Sequence, residues 1–205
     1  MRKTLLYLFL FLVFGSISCI KNDLPTWNGK LAEIDLAAWN ANGAGLTYPL
    51  ITRVPAANRA LTTGCPDSTL RRLSGTIQVR VNLVGAQSGS DETVGYTVFS
   101  SPVPTIAFPA TIVANAGLGC PTPQSPAAGA ATLNVLDAVS GTHYSALSGK
   151  VTIPKGTSFG YINIPILNSG STAGQARFIG IRLDSTGSVR PSVNYDRVGL
   201  LIDQR

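Results

Sequence analysis

Hydrophobic and polar residues alternate along most of the chain from residue 74 onward. The clearest case is the segment Gly75 to Val84, whose apolar positions are Ile77, Val79, Val81 and Leu83. A period of two places these side chains on one face of a strand, so the pattern predicts a half-buried β-strand. The same alternation predicts strands at Ile162/Ile164/Ile166, Ile179/Ile181/Leu183 and Val198/Leu200/Ile202.

Shorter apolar runs predict additional strands, and turn-forming residues such as Pro154-Lys155-Gly156 separate nearly all of the runs. The additional candidates are Leu31 to Leu36, Thr47 to Arg53, Thr93 to Ser100, Ala131 to Leu136 and Lys150 to Ile153. Many short strands with regular turns are typical of an all-β, antiparallel β-sandwich of two sheets. We expect one such domain over residues 30–205.

The N-terminal residues have the order of an export signal. Arg2 and Lys3 precede an apolar run from Leu5 to Phe14, and small residues then lead up to Cys19. The apolar run is too short to cross a bilayer, so it predicts a cleaved signal rather than a membrane span.

A cysteine at the cleavage site resembles the lipobox of bacterial lipoproteins, in which fatty acyl chains such as palmitate modify the thiol. This resemblance predicts a signal over residues 1–19, an acylated Cys19, and a polar tether over residues 20–29. Asp does not follow Cys19, so the common inner-membrane retention signal is missing and we expect attachment to the cell outer membrane. An ordinary signal peptide cut near Ser18 is the alternative, because Ser16 stands where lipoboxes usually carry Leu.

The charge of the chain argues against nucleic acid as a partner. Without Arg2 and Lys3, 14 of the 16 basic residues stand against 10 acidic ones, for a net charge of +4. These basic residues are scattered, whereas nucleic-acid-binding proteins concentrate them in stripes or patches.

Cys65 and Cys120 both lie in segments rich in Gly and Pro. Outside the cytoplasm, two such cysteines predict a disulfide. Closing a loop of 54 residues would stabilise the fold by about 4 kcal/mol in the chain-entropy model. Neither cysteine has a Cys or His at ligand spacing, which argues against a metal site.

The segment from Leu73 to Arg205 resembles a Calx-beta domain. The resemblance rests on Ser140-Gly141-Thr142-His143-Tyr144, on a strand ending in Pro154-Lys155-Gly156, and on a last strand closing with Leu201-Ile202-Asp203. It implies an immunoglobulin-like sandwich, which agrees with the strand pattern.

The resemblance would also imply calcium binding through clustered carboxylates, but this sequence departs from that pattern. His143 replaces the usual Asp before Tyr144, and Asp137, Asp184 and Asp203 are dispersed along the chain. Calcium requires six to eight oxygen ligands. We therefore expect no metal and no cofactor.

The residues offer little for catalysis. His143 is the only histidine, and no Gly-x-Ser-x-Gly motif presents a nucleophile. Asp91 and Glu92 are the only adjacent acidic pair, and neighbouring residues of a strand face opposite ways, so they form a poor acid–base couple. We expect a protein that is not an enzyme.

Trp27, Trp39 and Tyr48 are the candidate ligand-binding residues, because exposed aromatic rings can stack on sugars. The alternative is that Trp39 caps the sandwich and Trp27 packs the tether onto it. The sequence thus predicts a lipid-anchored accessory module of an outer-membrane glycan-uptake system, in contact with polysaccharide or with uptake proteins. The alternative is a pilus- or adhesin-type subunit that assembles by strand addition.

Overall fold

The computed structural model describes residues 29–35, 46–52, 70–108 and 131–204. These ranges form eleven β-strands, and they contain no helix long and apolar enough to cross a membrane. The strands are β1 (Leu31–Ile34), β2 (Leu50–Ile51), β3 (Thr76–Val84), β4 (Glu92–Phe99), β5 (Thr105–Phe108), β6 (Ala131–Asp137), β7 (Lys150–Ile153), β8 (Phe159–Pro165), β9 (Gln175–Asp184), β10 (Arg190–Pro191) and β11 (Arg197–Asp203).

The first sheet has the strand order β10-β1-β3-β8. The strand β3 pairs antiparallel with β1 on one side and with β8 on the other, where Arg80 lies opposite Tyr161. The inward positions Ile77 and Val79 of β3 are fully buried, and its outward positions are partly or fully exposed. The predicted alternation of β3 is therefore confirmed.

The second sheet has the strand order β2-β11-β9-β4-β7. One side of β9 pairs with β11 along its length. The other side pairs first with β6, in parallel, and then with β4. The strands β5 and β6 pair antiparallel, and β6 joins the sheet through β9, so this strand pair extends the second sheet beyond the end of β4.

The main core consists of the inward side chains of both sheets, including Val81, Ile162, Ile181 and Leu200. A smaller apolar cluster lies on the other face of the second sheet, around Phe178. Its other buried members are Leu50, Ile106, Leu133, Val135, Ala176 and Leu201. The second sheet therefore buries side chains on both of its faces near this cluster.

The prediction of an all-β sandwich of two sheets is confirmed, but three strand pairings are parallel rather than antiparallel. These are the pairs β1–β10, β2–β11 and β6–β9. The segment from Arg190 to Asp203 explains the first, because it runs beside β1 and then continues into the second sheet as β11. The strands β5 and β10 were not predicted; β10 has only two residues, one of them a proline, which gives no periodic signal.

The two sheets approach closely beside Gly160, which lies in β8. A Cβ atom added there would collide with the carbonyl oxygen of Thr152 and would lie 3.2 Å from Cγ2 of Val151. Both neighbours belong to β7, so the absence of a side chain at residue 160 allows β8 to pass against β7.

We expect Gly160→Ala to lower the free energy of unfolding by about 1–3 kcal/mol, the usual cost of forcing an additional carbon into a packed core. Gly89→Ala is the matched control, because a Cβ atom there has no neighbour within 4 Å. Urea unfolding measures both variants. Equal stability of the two would show that β8 can move away from β7 at little cost.

Candidate functional site

Two aromatic side chains lie side by side on the outer face of the first sheet. Gly160, Ile162 and Ile164 of β8 point into the core, so Phe159 and Tyr161 must point outward. Phe159 is 36% exposed and Tyr161 is 41% exposed. Their rings meet edge to face, with centroids 5.5 Å apart and an interplanar angle of 70°.

Arg80 of the neighbouring strand β3 is fixed against this aromatic pair. Its guanidinium carbon lies 4.1 Å from the centre of the Phe159 ring, which is a cation–π contact. Its Nε donates a hydrogen bond of 2.8 Å to Oδ1 of Asn82 and lies 3.5 Å from Oδ2 of Asp35. These contacts hold the guanidinium in one place at the surface, so its other N–H groups are oriented before any ligand arrives.

Two amide side chains lie next to the aromatic pair and Arg80 on the outer face of the first sheet. Nε2 of Gln78 donates a hydrogen bond of 3.0 Å to Oδ1 of Asn163, across the β3–β8 pair. Each amide carries both donor and acceptor atoms, and this single bond leaves several of them available. The pair can therefore exchange hydrogen bonds with hydroxyl groups of a ligand.

We use the name outer platform for the five residues Phe159, Tyr161, Arg80, Gln78 and Asn163. From the spacing of residues and strands in a sheet, it extends roughly 14 Å along β8 and about 5 Å across to β3. An exposed aromatic ring beside fixed planar donors and acceptors can bind a flat, partly apolar molecule that carries hydroxyl groups.

Of the predicted ligand-binding aromatics, Tyr48 lies within the described residues, and Trp27 and Trp39 lie outside them. Tyr48 packs edge-on against Phe99, with ring centroids 5.4 Å apart, as part of the smaller apolar cluster. Its hydroxyl is buried, and this burial raises the pKa of Tyr48. Tyr48 thus contributes to packing, and its role in ligand binding stays a prediction.

The three cysteines all lie outside the described residues. Acylation of Cys19 and the disulfide between Cys65 and Cys120 therefore stay predictions, as do the signal over residues 1–19 and the tether.

His143, at the position where the resemblance would place an aspartate, is buried in the turn before Tyr144. Its Nδ1 accepts a hydrogen bond of 2.9 Å from the backbone N–H of Val139. Burial and, to a lesser extent, the positive charge of Arg177 lower the pKa of His143, so the ring is neutral near pH 7. Tyr144 beside it is buried in the main core. Both residues therefore stabilise the turn.

The three aspartates considered as calcium ligands have separate surroundings. Oδ1 of Asp137 accepts the backbone N–H of Ser101 at 2.8 Å, and Oδ1 of Asp184 accepts that of Thr186 at 2.8 Å. Asp203 is fully buried at the end of β11. Among the described residues, no group of three or more His, Cys, Asp and Glu side chains is placed to hold a metal ion.

Asp91 and Glu92 bind different loops. Oδ1 of Asp91 accepts the backbone N–H of Lys155, whereas Glu92 accepts hydrogen bonds from Ser188, Ser88 and Lys30. The hydrogen bonds from Ser188, then Ser88, then Lys30 lower the pKa of Glu92 to about 2. Glu92 is therefore ionised near neutral pH, where it connects the start of β1 to two loops.

The sequence did not predict the outer platform, because the aromatic residues taken as candidates were Trp27, Trp39 and Tyr48. A signal was present in Phe159-Gly160-Tyr161-Ile162, in which two aromatic residues alternate with residues that the neighbouring strand pattern assigns to the core. The contribution of Arg80 and Gln78 needed the pairing register of β3 with β8, which the sequence does not specify.

No protein-family model matches the chain, and comparison with curated proteins finds no match. Among solved structures, the apo form of the Calx CBD1 domain is 16% identical with a TM-score of 0.39, over 66% of this chain and 88% of that one. The calcium binding domain CBD12 of CALX1.1 is 16% identical with a TM-score of 0.39, over 66% of this chain and 42% of that one.

A third similar structure is a "putative carbohydrate binding protein" from Bacteroides ovatus, at 16% identity and a TM-score of 0.37. The match covers 63% of this chain and 31% of that one. The chain therefore spans less than half the length of two of these three structures. Similarity at this level assigns neither a family nor a ligand to the chain.

The lowered pKa of Glu92 predicts a specific loss of stability in acid. The folded state favours the ionised carboxylate, so its contribution is present above about pH 4.5 and is lost as the pH falls towards about 2. We expect Ser188→Ala to have a lower free energy of unfolding than the wild type at pH 7, and this difference should become smaller at low pH. Urea unfolding at both pH values measures it. Ser185→Ala, in the same exposed loop, is the control and should differ from the wild type at neither pH. An equal stability difference between Ser188→Ala and the wild type at both pH values would contradict the role of Glu92.

Proposed function

We propose that this protein is a non-catalytic binding module that takes a glycan on the outer platform. The observation that carries the proposal is the exposure of Tyr161 and Phe159 next to the fixed guanidinium of Arg80. Neighbouring exposed apolar groups that are rimmed by polar ones mark interaction sites on protein surfaces.

The chemistry of the platform suits a sugar. A pyranose ring has apolar C–H faces, which pack on an aromatic ring, and a rim of hydroxyl groups, which exchange hydrogen bonds with amides and guanidinium. Tyr161 offers the stacking surface, since Arg80 already covers one face of Phe159. Arg80, Gln78 and Asn163 provide the polar contacts beside it.

The proposal includes the place of the protein in the cell. The basic residues, short apolar run and cysteine of residues 1–19 support anchoring through acyl chains on Cys19, at the outer membrane. An anchored glycan-binding module would concentrate polysaccharide next to proteins of an uptake system. The outer platform consists of aromatic rings, a guanidinium and amides, which suit binding rather than bond cleavage. We therefore assign it no reaction and no cofactor.

We expect Tyr161→Ala to weaken polysaccharide binding about fivefold or more, because truncation of a central contact residue typically costs above 1 kcal/mol. Tyr195→Ala is the matched control, since Tyr195 is also an exposed tyrosine, at 47%, but lies on the loop before β11. Affinity electrophoresis through gels containing polysaccharide measures both. An equal loss of polysaccharide affinity in the two variants would contradict a site at the platform. If the purified protein instead forms ordered polymers and binds no polysaccharide, the alternative of a surface subunit that assembles by strand addition would be favoured.

Anchoring is tested by the intact mass of the protein extracted from membranes of cells that export it. We expect the mass of the chain from Cys19 onward with added acyl chains, and we expect Cys19→Ser to leave the membrane fraction. An unmodified chain that begins at another residue would contradict the anchor and would leave the glycan site untouched.

A further inference from the structure

The charges around the outer platform can be placed from the strand register. The outward positions of β1 are on the same face as the platform, and they include Glu33, which lies opposite Asn82 of β3. Asp35 follows β1 and lies beside Arg80. On the far side of β1, Arg190 of β10 lies opposite Leu31.

The formal charges of these four residues sum to zero, although the whole chain carries a formal charge of +6. The two arginines on the described strands of this sheet do not form a patch. Arg80 shares its charge with Asp35 and stacks on Phe159. Arg190 lies two strands from β3 and three strands from β8, or roughly 10 and 14 Å, and both distances exceed the Debye length of about 8 Å at physiological ionic strength.

The acidic groups are nearer to the platform. Asp35 adjoins Arg80, and Glu33 lies one strand from β3, or about 5 Å. A glycan that stacks on Tyr161 and reaches Arg80 would therefore lie within a Debye length of both carboxylates. Each carboxylate or sulfate on the glycan would be repelled by both carboxylates, and Arg80, which already faces Asp35, would offset only part of this repulsion.

We infer that the outer platform is selective for neutral glycans and that Glu33 and Asp35 disfavour acidic ones. This inference rests on the proposed function, and it adds the class of glycan and a role for two acidic residues on the β1 side of the platform. A basic protein surface ordinarily attracts polyanions, so the inference predicts a preference opposite to that suggested by the net charge of the chain.

The test compares neutral polysaccharides (galactomannan, β-glucan and dextran) with polygalacturonate and chondroitin sulfate by affinity electrophoresis of the full chain at low salt. We expect retardation by at least one neutral polymer, which is lost in Tyr161→Ala, and weaker retardation by the two anionic polymers.

The charge argument is tested by Glu33→Gln, which we expect to strengthen the weak retardation by polygalacturonate about two- to fivefold, the range of one exposed ion pair. Asn134→Lys is the matched control, because it changes the net charge by the same +1 at an exposed position of β6, in the second sheet. An equal effect of the two variants would overturn the local role of Glu33.

The two proposals fail in different ways. Preferential binding of an anionic polymer, abolished by Tyr161→Ala, would overturn the neutral selectivity and leave the glycan site standing. Absence of retardation by every polymer in the folded wild-type protein would overturn the glycan-binding function itself.

Discussion

The register of β8 against β3 is the constraint on which the rest of the first sheet depends. Side chains alternate with a period of two along a strand. Because residues 160, 162 and 164 of β8 are buried, Phe159, Tyr161 and Asn163 face solvent. A slip by one residue would place Phe159 and Tyr161 against the core and would force them into the space that Gly160 keeps free next to β7. The packing that holds the two sheets together therefore also presents the aromatic pair.

The two sheets differ in what covers their outer faces, and this difference explains why the candidate site lies on the first. On the second sheet, Phe99 packs over Gly180 and meets Phe178 at a centroid distance of 5.7 Å, with Tyr48 on its other side. This stack is an extension of the core. On the first sheet the aromatic side chains meet Arg80 and amides instead, and they remain exposed. Similar residue types thus stabilise one face and form the exposed outer platform on the other.

The sequence predicted strands well where one face is buried along a long run. For β3 the alternation predicted the extent of the strand to within one residue, because each apolar position must reach the same core. It failed for β5 and β10, which are short and owe their pairing to the strands beside them. The sequence named Tyr48, and not Tyr161, as a candidate ligand-binding residue, and this stays a prediction. Both tyrosines have apolar neighbours in the sequence. Only the tertiary structure shows that the ring of Tyr48 packs on Phe99 and that the ring of Tyr161 is exposed to solvent.

The same distinction applies to charge. A basic chain suggests an affinity for polyanions, yet several arginines in this protein are held by contacts within the second sheet. Arg182 and Arg197 lie opposite each other on β9 and β11, where two like charges would repel, and both hydrogen-bond to the buried carboxylate of Asp196 at 2.8–3.2 Å. Arg177 donates to the side chain of Gln175 and to the backbone carbonyl of Asp137. These three arginines of the second sheet therefore do not add to the charge at the outer platform, where Arg80 lies beside Asp35 and one strand from Glu33.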